Sequence, residues 1–306
     1  MLRGFFWMAV ATLTAFSGGC GGAIKNSHPV AREQQLVVKD ASQEDLVDAF
    51  NTIALGVKSL DATVQLKATT GSQYSGVIDE YHEVKAFLLA ERPAYIRMIG
   101  QAPVIGKTIF DMASDAETFR VSIPSKNKFL VGPVSVDRSS SKPIENLRPQ
   151  HLLDALLWSE IQKPETVLFE EFNDETGRYY ILTVLRGGYQ TEIRRKIWFN
   201  RVDLQVSRLE EFGSKGRLLS DIHYADWEPV AAAQTPVASG PAALAPAGVA
   251  SFPRTIRVNR PHDDYRLDLQ VTKLALNEDL PQDRFQLAQP AGSELVRVGE
   301  DGDKQQ

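Results

Sequence analysis

Residues 166–227 constrain the fold more than any other stretch. They read as five consecutive strands, Thr166–Phe172, Arg178–Arg186, Thr191–Asn200, Leu204–Phe212 and Gly216–Trp227. Turn signals separate them: Asn173-Asp174 with Gly177, then Gly187-Gly188, then Asn200 to Asp203, then Gly213 to Lys215. Short strands joined by tight polar turns predict an antiparallel meander. The alternation within the strands is not one-sided. Ile193, Ile197 and Phe199 share one face, while Trp198 sits among Arg194 and Lys196 on the other. A sheet with one wet face would alternate hydrophobic-in and polar-out. Apolar residues on both faces predict a sheet that is covered on one side and lines an apolar space, or a sandwich core, on the other.

The remaining chain extends this β-rich pattern. Ser42 is placed as a helix N-cap with Asp45 at capping-box distance, and Leu46, Ala49, Phe50, Ile53, Val57 and Leu60 follow at spacings of three and four. This predicts an amphipathic helix ending near Ser59. Strands follow at Ala62–Thr70, within Tyr74–Ala90, and at Ala94–Gly100, Lys107–Ala113, Glu117–Ile123 and Lys128–Val131. Pro149 suits a first helical turn, and Leu152, Leu153, Leu156, Leu157 and Trp158 make the helix behind it unusually apolar. Residues 229–250 carry alanine and proline without charge and predict a flexible insertion. Phe252–Asn259 and Tyr265–Ala275 predict a last hairpin, and Phe285–Leu287 a packed segment before a charged tail. The expected organisation is a signal peptide over 1–19, a tether over 20–39, one domain over 40–290 and a disordered tail over 291–306.

The amino terminus carries a targeting signal. Arg3 precedes an apolar run from Phe5 to Phe16, shorter than the roughly 20 residues that cross a bilayer core. It ends at Phe16-Ser17-Gly18-Gly19-Cys20, and Cys20 is the one cysteine of the chain. Small residues before a cysteine resemble a bacterial lipobox, although Ser17 stands where that pattern has leucine. The resemblance implies lipidation at Cys20, and Gly21 after it directs the anchor to the outer membrane.

Composition and motifs remove several function classes. A net charge of −5 gives no basic face for nucleic acid. Gly100 and Gly106 frame the wrong spacing for a phosphate loop, and strands flank them on both sides. The five histidines are scattered without metal-ligand spacing. Adjacent carboxylates such as Glu170-Glu171 point apart on a strand. The expectation is a non-enzyme with no cofactor and no metal.

One loop breaks the usual chemistry of turns. Gln101-Ala102-Pro103-Val104-Ile105-Gly106 joins two strands, yet its tip presents Val104 and Ile105. Tip residues of a solvated hairpin are usually polar, so these two are expected either under a neighbouring element or touching a membrane or lipid chain.

The hairpin from Tyr95 to Gly106, the segment Lys142-Pro143-Ile144-Glu145-Asn146-Leu147 before the apolar helix, and the ending Phe252–Val258 with Leu267–Val271 together resemble the bacterial lipoprotein-localisation family (LolA/LolB-like). The lipobox makes the resemblance closer to the anchored outer-membrane receptor than to the soluble periplasmic carrier. The resemblance implies a mainly β (α+β) single-domain fold: an incomplete antiparallel β-barrel with α-helices covering a hydrophobic cavity. It implies an outer-membrane lipoprotein, on the periplasmic face, that binds acyl chains of lipoproteins or lipids and takes part in their localisation. It also implies a periplasmic carrier protein as a partner, without naming the donor. Val104 and Ile105 would be the lipid-transfer tip. Met98, Phe110, Met112, Phe119, Val121, Leu153, Leu156, Leu157 and Trp158 are the cavity candidates. The alternative is a structural or envelope-assembly lipoprotein that uses the same fold without carrying lipid.

Overall fold

In the computed structural model, the described residues are 37–72, 76–135, 148–175, 177–187, 191–230 and 251–298. Cys20, the segment Lys142–Leu147, nearly all of the Ala/Pro-rich insertion and the end of the tail lie outside them. From Val38 onward the chain forms one compact unit.

Helix α1 (Gln43–Gly56) begins at the expected cap: Asp45 N–H donates to Ser42 Oγ at 3.2 Å, and Ser42 N–H donates back to Asp45 Oδ2 at 2.9 Å. It stops at Gly56, three residues before the sequence pattern suggests, because β1 (Ser59–Ser72) starts there. The order continues β2 (Val77–Glu80), β3 (Val84–Glu91), β4 (Tyr95–Gln101), β5 (Thr108–Ser114), β6 (Thr118–Ile123) and β7 (Lys128–Pro133). Helix α2 (Pro149–Leu156) follows, then β8 (Thr166–Asn173), β9 (Arg178–Arg186), β10 (Glu192–Asn200), β11 (Val206–Phe212) and β12 (Leu218–Pro229). The chain closes with β13 (Ser251–Arg260), β14 (Tyr265–Leu276) and β15 (Glu294–Arg297).

These strands form one mainly antiparallel sheet of 15 strands, in the order β15-β7-β6-β5-β4-β3-β1-β14-β13-β12-β11-β10-β9-β8, with β2 paired to β1. The ends of that path, β15 and β8, do not pair with one another, so the sheet is curved and open. The β8–β12 meander is the right half of it, with every neighbouring pair antiparallel. β1 and β14 join the two halves, with Leu66 opposite Leu269 and Ala68 opposite Leu267. β15 pairs with β7 in parallel, which the four-residue run Glu294–Arg297 does not announce in the sequence.

Inward-facing residues and the two helices build the core. In β3, Val84, Ala86, Leu88 and Ala90 point inward, while Leu89 points out against Leu280 and Phe285. The Tyr95 and Phe285 rings meet there at 5.7 Å. Helix α2 packs on β4 and β5, burying Leu152, Leu153, Ala155 and Leu156. No described helix is long and apolar enough to cross a membrane.

Candidate functional site

Strand direction sets what gathers at each end of the sheet. β1, β4 and β6 run toward one end, where β5 and β14 begin. Pleating then aims alternate residues into the concave side. On β1 these are Leu66, Ala68 and Thr70, and their partners across the pair are Leu269, Leu267 and Tyr265. From β5 come Ile109, Phe110 and Met112, and from β6 Val121 and Ile123. Between these walls lies an apolar cavity of about 350 Å³, within the size range of small-molecule sites. Tyr81, His82, Ser125 and Lys126 stand in the loops and turns of the same lining.

Gly100 shapes one wall. Phe110 is its cross-strand neighbour, and the ring lies flat across it: a Cβ at Gly100 would sit 2.3 Å from Phe110 Cε1. A side chain there would therefore push Phe110 out of its place in the lining.

The hairpin between β4 and β5 projects at this same end, because Ile109 and Phe110 follow directly after it. Ala102 N–H donates to Lys107 O at 2.9 Å, Gly106 N–H donates to Ala102 O at 3.1 Å, and Gly106 takes φ +62°. The turn leaves Val104 94% and Ile105 74% exposed. Neither side chain lies under a neighbouring element.

The cavity candidates divide. Phe110, Met112 and Val121 line the cavity. Met98, Phe119, Leu153, Leu156, Leu157 and Trp158 do not; they are buried in the packed core around α2. The reason is that α2 lies directly on β4 and β5, so its leucines are covered by sheet residues and do not face an open space. Trp158 stacks on Phe50 at 5.0 Å, and its Nε1–H donates to Tyr224 Oη at 2.8 Å. Replacing Trp158 with alanine is expected to cost about 3–5 kcal/mol by leaving a core cavity, read as a shift of the urea midpoint; a loss below about 1 kcal/mol would contradict this packing.

The lining residues that sequence reasoning missed include Ala68, Leu267 and Tyr265 of β1 and β14. Their signal was present as in-phase apolar positions on two long strands, but phase alone does not say which interior positions stay unfilled.

A polar cluster ties α2 to the lining. Tyr265 Oη lies 2.6 Å from His151 Nδ1, and Arg260 Nη2 lies 3.2 Å from His151 Nε2. Arg260 also meets Asp263 at 2.7 Å and donates to Ser220 Oγ at 2.8 Å. Burial, then the Arg260 charge, pushes His151 down to about 3, so the imidazole is neutral. Arg260 can only donate; Nε2 therefore accepts, which leaves Nδ1–H to donate to Tyr265.

A second polar cluster is built around Arg195. Arg195 is 1% exposed and donates to Ser159 O at 2.6 Å and Glu160 O at 2.8 Å. Its guanidinium lies 5.1 Å from the Phe50 ring centre, and Glu211 Oε1 is 4.0 Å away. Arg92 donates to Ala54 O and Trp158 O at 2.5 and 2.6 Å. Arg195 was legible only as a charge in phase with Ile193, Ile197 and Phe199.

Among the described residues, no group of three or more histidine, cysteine or carboxylate side chains is placed to hold a metal. No family model and no curated protein matches the sequence. The fold is similar to that of a LolA superfamily protein from Nitrosomonas europaea, with TM-score 0.46 and 13% identity over 81% of this chain and 99% of that one. It is similar to a putative outer membrane lipoprotein-sorting protein domain from Vibrio parahaemolyticus, with TM-score 0.46 and 10% identity over 78% and 95% of the two chains. A DUF1329 family protein from Desulfovibrio piger matches with TM-score 0.46 and 16% identity over 79% and 95%.

Proposed function

We propose that this chain is a non-catalytic, outer-membrane-anchored lipoprotein that binds acyl chains of a lipoprotein or lipid in the cavity and takes part in their localisation. One observation carries the reading: an apolar cavity and an exposed apolar hairpin tip lie at the same end of the sheet. An acyl chain entering the cavity would be desolvated by Leu66, Ile109, Phe110 and Leu267. Lys126 in the lining offers a cation to an anionic head group. Val104 and Ile105 would dip into a membrane, each contributing roughly 1.5–3 kcal/mol when fully transferred. Cys20 would carry the anchor; Cys20→Ser should abolish incorporation of labelled palmitate, and an unlabelled wild-type protein would end that part of the reading.

The direct test is native mass spectrometry of the protein purified from cells, with bound lipid or acylated peptide as the expected result. A Val104→Ser/Ile105→Ser variant then separates delivery from folding. Its stability should stay within about 0.5 kcal/mol, since both positions are exposed, and cargo should remain bound. Transfer of that cargo to liposomes should fall sharply. Wild-type transfer by the folded variant would remove the tip from the mechanism. Protein that never retains lipid would favour an envelope-assembly role for the same fold.

A further inference from the structure

Burial is graded along the lining of the apolar cavity, and polarity follows it. Leu66, Val84, Met112, Val121 and Leu267 are buried. Tyr265 is buried with them, and its hydroxyl is engaged by His151 at 2.6 Å. The polar members Tyr81, His82, Ser125 and Lys126 are all exposed. They come from the connection between β2 and β3 and from the turn after β6. Asn127 fixes that turn: it takes φ +50°, its N–H donates to Pro124 O at 3.1 Å, and its Nδ2–H donates to Gly292 O at 3.0 Å. A tail therefore belongs at the buried end and a head group beside Lys126.

Size sets the number of chains. Leu66, Ala68 and Thr70 are successive inward positions of β1, so this wall runs for ~13 Å at ~3.3 Å per residue. That length takes roughly ten carbons of an extended chain with C–C bonds of about 1.5 Å. The volume of about 350 Å³ agrees with the length. Taking ~30 Å³ per methylene, the share of one water in the liquid, roughly a dozen carbons fill it. One chain occupies this space; the three chains of a triacylated lipoprotein do not fit together.

Charge sets the head group. The lining contains Lys126 and His82 and no aspartate or glutamate. The carboxylates next to it in sequence stand outside it: Glu80 is held by Lys67 at 2.8 Å, and Glu83 follows His82 without joining the lining. Asp263 and Asp264 precede Tyr265 on a turn, where Asp263 pairs with Arg260 at 2.7 Å. An anionic head beside the Lys126 ammonium gains an opposite charge, and a cationic head meets a like one.

We infer that the cavity takes a one-chain anionic amphiphile, with a tail of roughly ten to twelve carbons in the buried end and its acidic oxygens at Lys126. The inference rests on the acyl-binding reading above and narrows it to one chain and one sign of charge. A free fatty acid and a lysophospholipid present the same chemistry.

The test displaces a fluorescent fatty acid from full-length protein with single-chain competitors. Among saturated fatty acids, each added carbon should tighten binding about fourfold up to roughly twelve, after which the gain stops. At twelve carbons, dodecanol should bind about 2- to 5-fold more weakly than dodecanoate, and dodecyltrimethylammonium more weakly still. Lys126 is exposed, so Lys126→Gln and Lys126→Glu should keep the wild-type thermal midpoint. The first should bring dodecanoate close to dodecanol, and the second should place the ammonium ahead of the carboxylate. Lauroyl-lysophosphatidylglycerol separates the two sources: tighter binding than dodecanoate assigns the lysophospholipid, and weaker binding assigns the free acid. Affinity that keeps rising past about sixteen carbons, a tripalmitoylated lipopeptide that competes as well as dodecanoate, or an unchanged order of head groups in folded Lys126→Glu would overturn the inference and leave acyl binding standing. If no chain of any length displaces the probe, the acyl-binding reading falls and this inference falls with it.

Discussion

Arg195→Met is expected to destabilise the fold by about 3–5 kcal/mol, the cost of removing one partner from a buried charged cluster. Methionine keeps much of the stem's volume, so the loss falls on polar contacts. The Ser159 and Glu160 carbonyls lose their donors, Phe50 loses its cation, and Glu211 loses the nearest opposing charge. Burial already holds the Glu211 carboxyl up at about 7, with Arg195 acting against that rise. A carboxyl whose folded pKa lies above its unfolded value binds more protons in the folded state. Stability therefore falls as pH rises from about 4.5 through 7. Without Arg195 the folded pKa climbs further, so the variant's deficit should be large above pH ~7 and shrink below pH ~5. Asp154, open to solvent on one side yet ringed by protein that raises it to about 6, contributes with the same sign. Glu211→Gln in the Arg195→Met background isolates the Glu211 share by flattening the difference. Urea midpoints across this pH range give the answer; a deficit that is small, or equal at both ends, would show that Arg195 is not the clamp described.

The contrast between what these clusters do and how they look in the sequence explains which parts of the fold were legible. The meander was readable because its turns are chemical: Asn173-Asp174 with Gly177, and Gly213 to Lys215, interrupt apolar alternation at regular spacing. Helix α1 was readable from Ser42 and Asp45, which satisfy one another's backbone donors before the apolar stripe begins. The protruding tip was readable because Val104 and Ile105 violate the polarity of turns, although only the structure decides that they are exposed and not covered. The cavity was half legible. Strand phase put Phe110, Met112 and Val121 on the right face, but depth along the sheet is set by where α2 sits. That helix covers Met98 and β5's distal half, and so fills one end while leaving the other open. Charges that serve the interior were not legible: Arg195 alternates with isoleucines as any surface arginine might, and its acceptors, Ser159 and Glu160, are backbone carbonyls 36 and 35 residues away.

Filling the cavity should abolish acyl binding without unfolding the protein. Ala68 and Thr70 both line it, on adjacent inward positions of β1. A larger side chain in a packed core usually costs 1–3 kcal/mol because neighbours must move. Here about 350 Å³ of open space lies in front of both residues, so Ala68→Trp and Thr70→Trp are each expected to change stability by less than about 1 kcal/mol. The indole would instead occupy the volume that an acyl chain needs. Each methylene kept in water forfeits about 0.8 kcal/mol, so excluding only two lowers affinity by more than about tenfold. Displacement of a fluorescent fatty acid from each purified variant measures this, with Val104→Ser/Ile105→Ser as the control that leaves the cavity open. Two substitutions approaching the space from different depths guard against one indole folding back along the strand. If both variants fold and both bind the probe as tightly as the wild type, the acyl chain sits elsewhere and the cavity between β1, β5 and β14 is not the binding site.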